Sequence, residues 1–150
     1  MKNLILTLAT SACIALPAMA EEKKLELTGN DQMQFSTKAL EVTAGDKVTL
    51  TFKHIGKLPK AAMGHNFVLL KKDAKVMEFA PVAMKAAATE YIPTEEPAKG
   101  LIITHTKLIG AGESDTITFD APAEAGAYPF LCTFPGHFAL MQGVLTVKAK

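Results

Sequence analysis

The reading turns on one stretch, Tyr128-Pro129-Phe130-Leu131-Cys132-Thr133-Phe134-Pro135-Gly136-His137-Phe138-Ala139-Leu140-Met141. Tyr128, Phe130 and Cys132 alternate, which puts them on one face of a strand. Pro135 and Gly136 stop that strand, so the residues beyond form a loop able to turn side chains towards a common point. From Cys132 to Met141 this loop offers a thiolate, an imidazole and a thioether at spacing C-x4-H-x3-M. Val144-Leu145-Thr146-Val147 then resumes as a closing strand.

Working outward, the same period of two recurs along the chain. Leu25 and Leu27 precede Thr28-Gly29-Asn30-Asp31; Met33 and Phe35 follow; Leu40 and Val42 precede Ala44-Gly45-Asp46. Val48, Leu50 and Phe52 alternate, Phe67-Val68-Leu69-Leu70 is a buried-strand run, and Ile117 with Phe119 precede Asp120-Ala121-Pro122. Short apolar alternations punctuated by Gly, Asn, Asp and Pro predict an all-β sandwich or barrel of about seven to eight strands. One segment departs from the pattern. Over residues 73–93, Val76, Phe79, Val82, Met84 and an alanine run to Ala88 predict a short helical excursion, with Pro81 in its first turn. Thr94 to Gly100 reads as an exposed loop and Gly110 to Glu113 as a turn.

Composition narrows the function classes. The 150 residues are 49% apolar and 21% charged, too apolar for a disordered chain, with 16 basic residues against 15 acidic ones. All the basic residues are lysines, scattered singly or in pairs, so no concentrated basic face exists to neutralise nucleic-acid phosphates. Lys2, the apolar run Leu4 to Leu16 and Ala18-Met19-Ala20 make the three-part pattern of a secretory signal peptide over residues 1–20, which leaves residues 21–150 as a single domain. The apolar run is too short to span a bilayer, and charged Glu21-Glu22-Lys23-Lys24 follow, so no membrane insertion is expected after cleavage. Cys13 leaves with the signal. Cys132 then has no internal disulfide partner and reads as an inert buried thiol, an intermolecular linker or a functional sulfur.

Sulfur with imidazole favours copper, zinc or iron over magnesium or calcium. A second histidine is needed for a His2Cys set, and His65 in Met63-Gly64-His65-Asn66 stands at the start of an apolar strand. Taken singly, a Met is usually core filling, a buried Cys a small hydrophobe, and a His at a strand end a satisfied donor. Their combination across a Pro-Gly loop is what points to a metal.

Cys132-Thr133-Phe134-Pro135-Gly136-His137 with Ala139-Leu140-Met141, together with Met63-Gly64-His65-Asn66, Gly29 to Phe35 and Thr104 to Gly110, resembles the azurins, blue-copper members of the cupredoxin family. The likeness spans essentially all of residues 21–150, and it implies a cupredoxin-like Greek-key β-sandwich. It implies His65, Cys132 and His137 as equatorial ligands of one copper ion cycling between Cu(I) and Cu(II), Met141 as a long axial thioether and the Gly64 carbonyl as a second weak contact. Asn66 is expected to hydrogen-bond across to the loop of Cys132, and the Phe134 backbone N–H to bond the sulfur. The resemblance also implies an apolar electron-transfer patch around His137, with Leu58, Ala62, Met63, Met84, Phe134, Pro135, Phe138, Ala139 and Leu140 as candidates. His54 matches a position where azurins carry a histidine with pH-linked behaviour; a satisfied histidine outside the ligand set is the favoured reading. His105 falls outside the metal set as well.

The chain departs from the azurin pattern in two respects. The disulfide usual near the azurin N-terminus has no cysteines here, with Lys23 or Lys24 and Asp46 standing where it would be sought, and the usual core tryptophan is absent. The expected function is that of a monomeric periplasmic electron carrier, not an enzyme, exchanging electrons with redox proteins such as c-type cytochromes or a terminal reductase. The alternatives are a copper storage or delivery protein, an accessory electron donor to a copper or haem reductase, and a thiol enzyme in which His137 activates Cys132. The last lacks an evident orienting group and oxyanion site.

Overall fold

A computed structural model describes residues 21–150; the expected signal segment, residues 1–20, lies outside the described residues. The chain folds into two sheets. Strands β1 (Glu22–Asn30), β2 (Gln34–Phe35), β4 (Lys47–His54) and β7 (Ser114–Asp120) form the first, in the order β2-β1-β4-β7. The second holds β3 (Ala39–Thr43), β5 (Val68–Leu70), β6 (Ile102–His105), β8 (Gly126–Leu131) and β9 (Gln142–Lys148), in the order β3-β9-β8-β5-β6. Both sheets are mixed: β1 runs parallel to β4 and β3 parallel to β9, and the other pairings are antiparallel.

Alternation dictates which faces meet. Val48, Leu50, Phe52 and His54 are the buried residues of β4, so the histidine is the last inward-facing side chain of a core strand. Opposite, β8 supplies Tyr128 and Phe130, and Cys132 follows two residues later on the same face. Leu27, Phe35, Leu69, Leu145 and Val147 complete the core, with Phe35 edge-on to both Phe52 and Phe130. Truncating Phe130, which is fully buried, to alanine costs about 3–5 kcal/mol on the scale typical of core aromatics.

The helical excursion is shorter than expected. Helix α2 spans Val76–Ala83, and a 3-10 turn over Ala87–Thr89 takes up part of the remainder. Pro81 sits in the second turn of α2 rather than the first, and the helix ends two residues beyond it. Phe79, Ala80 and Ala83 bury against Val68, Leu70 and Leu131, the outward-facing residues of β5 and β8, forming a second apolar cluster on the far side of sheet two. That accounts for the unbroken burial of Val68-Leu69-Leu70: Leu69 faces the main core and its neighbours face the helix. A single-turn helix, α1 (Lys60–Met63), leads into Gly64 and was not anticipated, since it buries none of its residues.

Asp46 closes the corner where the azurin resemblance puts a disulfide. Its carboxylate accepts the Thr43 amide at 2.8 Å, and the flanking Lys47 amide donates to Glu21 O at 2.9 Å. The Asp46 carboxylate therefore closes the turn from β3 into β4, and the Lys47 amide with the parallel ladder holds the start of β1 to β4. Among the described residues, no buried side-chain nitrogen or oxygen lacks a partner.

Candidate metal centre

Four segments converge at one end of the sandwich. His65 follows α1 and forms an isolated antiparallel bridge to Ile109, with main-chain bonds of 3.0 and 2.8 Å in the two directions. Gly64 must be small there: an added Cβ would lie 2.8 Å from the Lys60 carbonyl oxygen and 3.2 Å from the Leu108 side chain. The loop after β8 closes on itself through His137 N–H to Phe134 O (3.0 Å), Met141 N–H to His137 O (2.8 Å) and Cys132 N–H to Met141 O (2.9 Å). Gly136, at φ 82, takes the left-handed turn that starts the short 3-10 helix His137–Ala139.

This folding brings His65, Cys132 and His137 together, all buried, with one donor atom from each within 4.8 Å of the others. The Cys132 sulfur lies 3.8 Å from His65 Nδ1 and 3.7 Å from His137 Nδ1, and the two Nδ1 atoms are 3.1 Å apart. The His65 Nε2–H donates to the Asn30 carbonyl at 2.9 Å; a carbonyl only accepts, so the proton is on Nε2 and Nδ1 presents a lone pair to the sulfur. Met141 is fully buried. Its methyl group and the His65 ring both press on Gly29, where an added Cβ would meet Met141 Cε at 2.8 Å and His65 Cδ2 at 3.1 Å.

Burial sets the protonation of the cluster. It drives His65 down to about 4, against the opposing pull of the Asn30 carbonyl, and drives His137 down to about 4, helped by His54. Both imidazoles are thus neutral near pH 7. Burial pushes the Cys132 thiol up to about 12, opposed by the Asn66 and Phe134 backbone amides directed at the sulfur. Two neutral imidazoles and a thiol that needs a cation to ionise are a soft-donor set suited to copper, with zinc the competing metal.

The residues around the donors stand as follows. Asn66 Nδ2–H donates to Thr133 Oγ1 at 2.8 Å and the Thr133 amide donates to Asn66 Oδ1 at 2.9 Å, a two-way bridge between the strand of His65 and the loop of Cys132. The Phe134 ring packs on His137 at 4.7 Å. Leu58, Ala62, Pro135, Ala139 and Leu140 are exposed, while Met63, Met84 and Phe138 are half-buried. Phe138 packs against the cluster beneath α2, and Phe134 lies largely within the main core. His54 stacks on His65 at 4.4 Å and takes no part in the donor set. His105 is exposed on β6 and bonds the Thr106 carbonyl through Nδ1. Sequence reasoning missed Asn30, whose carbonyl orients His65, and the pair Glu90-Tyr91, which carries no motif.

Residues 21–148 match the model of the copper-binding plastocyanin/azurin family. The chain belongs to that family. It is 40% identical over 148 residues to azurin from Bordetella pertussis, covering 96% of each chain. Among solved structures it resembles an azurin from Methylomonas sp. strain J (TM-score 0.71, 33% identity, 85% of this chain and 98% of that one). It also resembles auracyanin from Roseiflexus castenholzii (TM-score 0.73, 34% identity, the same coverage). As a member of the plastocyanin/azurin family, the chain is a blue copper electron-transfer protein. No described helix is long and apolar enough to cross a membrane.

Proposed function

We propose that His65, Cys132 and His137 hold one copper ion as a type 1 centre, with Met141 and the Gly64 carbonyl as weak axial contacts. The observation that carries this reading is the convergence of three buried donor atoms, all within 4.8 Å of one another. Bound copper supplies a one-electron Cu(I)/Cu(II) couple. The chain's own residues make that couple fast and tuned. The Asn30 carbonyl fixes the His65 tautomer, the Asn66–Thr133 bridge fixes the distance between the two ligand segments, and the two amides aimed at the sulfur withdraw electron density from it. A donor cage held this rigidly changes little between oxidation states.

The protein carries electrons and transforms no substrate. Leu58, Ala62, Pro135, Ala139 and Leu140 form the exposed apolar rim through which His137 meets partners, and a small interface of this kind releases quickly. Those partners are periplasmic redox proteins such as c-type cytochromes or a terminal reductase, which the chain, exported by way of residues 1–20, meets as a monomer. The test is direct. Loaded with Cu(II), the protein spanning residues 21–150 shows an intense thiolate-to-copper visible band and a narrow copper hyperfine splitting; a colourless Cu(II) complex would overturn the reading.

A further inference from the structure

Two adjacent residues, Glu90 and Tyr91, both lie in the left-handed region, at φ 55 and φ 65, and neither is glycine. Such a conformation is uphill for an ordinary side chain and persists only where the surroundings hold it. Here the backbone caps the 3-10 turn before it, the Glu90 amide on Ala87 O at 3.2 Å and the Tyr91 amide on Ala86 O at 2.8 Å, and the two side chains reach the supports of the metal centre. The Glu90 carboxylate accepts the Lys60 ammonium of α1 at 3.2 Å with one oxygen and the Leu108 amide at 3.2 Å with the other. Lys60 begins the helix that ends at Gly64, and Leu108 precedes the residue bridged to His65. The Glu90 carbonyl takes a long 3.5 Å contact from Asn66 Nδ2. Tyr91 turns the other way, its ring edge-on to Phe134 with centroids 5.3 Å apart.

We infer that Glu90 and Tyr91 are positioning residues for the Cys132 sulfur, one gripping the segment that carries the Asn66 amide and the other the residue that carries the Phe134 amide. The inference rests on the copper reading above and deepens it. An exposed ion pair alone contributes little, and the Lys60–Glu90 pair is half-exposed. The same carboxylate oxygen pair, however, ties α1 to the 108–109 segment, so it brackets His65 and Asn66 from two sides. Tyr91 meanwhile sandwiches Phe134 against His137. The dipeptide therefore steadies both the segment of Asn66 and the Phe134 residue, and through their placement the electron density on sulfur.

Four variants test this. Glu90→Gly keeps the left-handed backbone within reach and removes the carboxylate; Glu90→Gln keeps a hydrogen-bond acceptor and removes the charge. Tyr91→Leu removes the ring and Tyr91→Phe retains it. The readouts are the Asn66 and Phe134 amide resonances in the apoprotein and the Cu(I) protein, and the reduction potential with the visible band. Expected are an upfield Asn66 amide in Glu90→Gly, a smaller shift in Glu90→Gln, an upfield Phe134 amide in Tyr91→Leu, a lowered potential wherever an amide moves, and parent behaviour in Tyr91→Phe. Parent resonances and potential in both Glu90 variants and Tyr91→Leu, whatever their melting temperatures, overturn the inference; if Tyr91→Leu does not fold, the Glu90 pair decides. A parent that is not blue defeats the proposed function, and the apoprotein amides still judge this inference by themselves.

Discussion

Two histidine-bearing segments lie face to face at one end of the sandwich, and they do opposite things with the same side chain. His54, closing β4, and His65, opening towards β5, are both fully buried and stack 4.4 Å apart. The His54 ring has both nitrogens engaged by backbone: Nε2 donates to the Met63 carbonyl at 2.7 Å and Nδ1 accepts the Gly56 amide at 2.9 Å. At His65 only one nitrogen is bound by backbone, and the other opens onto Cys132 and His137. Burial does not make a ligand. What separates the two rings is whether the main chain leaves one lone pair uncommitted, and in the 54–56 turn it leaves none.

The comparison is broken most severely by exchanging the roles. Replacing His65 by glutamine abolishes the visible band, whereas His54→Leu keeps it; a blue His65→Gln protein would show that the donor set has been misread. Next in size is the bridge that holds the ligand segment. Asn66→Leu weakens metal affinity by about 10–100-fold, the usual range for an outer partner of a ligand, measured by competition with a chelator. His54→Leu, by contrast, should act on stability alone. It orphans the Met63 carbonyl and the Gly56 amide and costs about 1–3 kcal/mol in urea unfolding, with the copper spectrum close to that of the parent.

The smallest effect is on pH. His65 and His137 are held at about 4, below their ordinary 6.5, so the unfolded apoprotein binds protons that the folded one refuses. Their contribution to stability is complete above pH 6.5, falls as the pH drops, and levels off once both rings protonate below about 4. The urea midpoint of the apoprotein should fall across that window, and His65→Gln should remove roughly half of the fall attributable to the two rings, since one of two equally shifted groups is gone.

Much of this was legible in the sequence because it is local. Val48, Leu50 and Phe52 announce β4 by alternation, and the Cys132–Met141 loop holds three chemically unusual residues within one turn of chain. His65 was legible less directly, through its place at the start of the apolar run Phe67 to Leu70 and the need for a second imidazole beside Cys132 and His137. Strand β6 was not: Ile102 to Thr104 are all half-buried, so they lack the alternation that marks the other strands. The parallel pairings β1 with β4 and β3 with β9 escape for another reason, since nothing in a strand's own residues names a partner lying far along the chain. Glu90-Tyr91 is the extreme case. Its turn is capped locally by the Ala86 and Ala87 carbonyls, but its partners Lys60, Leu108, Asn66 and Phe134 are drawn from four separate parts of the sequence.

Strand β9 lies between β3 and β8, in the interior of sheet two, and the loop residues that gather the sulfur and one imidazole come immediately before it. The donor cage is therefore among the last parts of the molecule that can be assembled as the chain is made. A chain cut short before β9 leaves two strands without their neighbour and Met141 without the strand that anchors it. Colour in the copper-loaded protein thus reports that synthesis has carried through β9 as well as metal binding, and a population cut before β9 would be visible as the fraction of protein that stays pale.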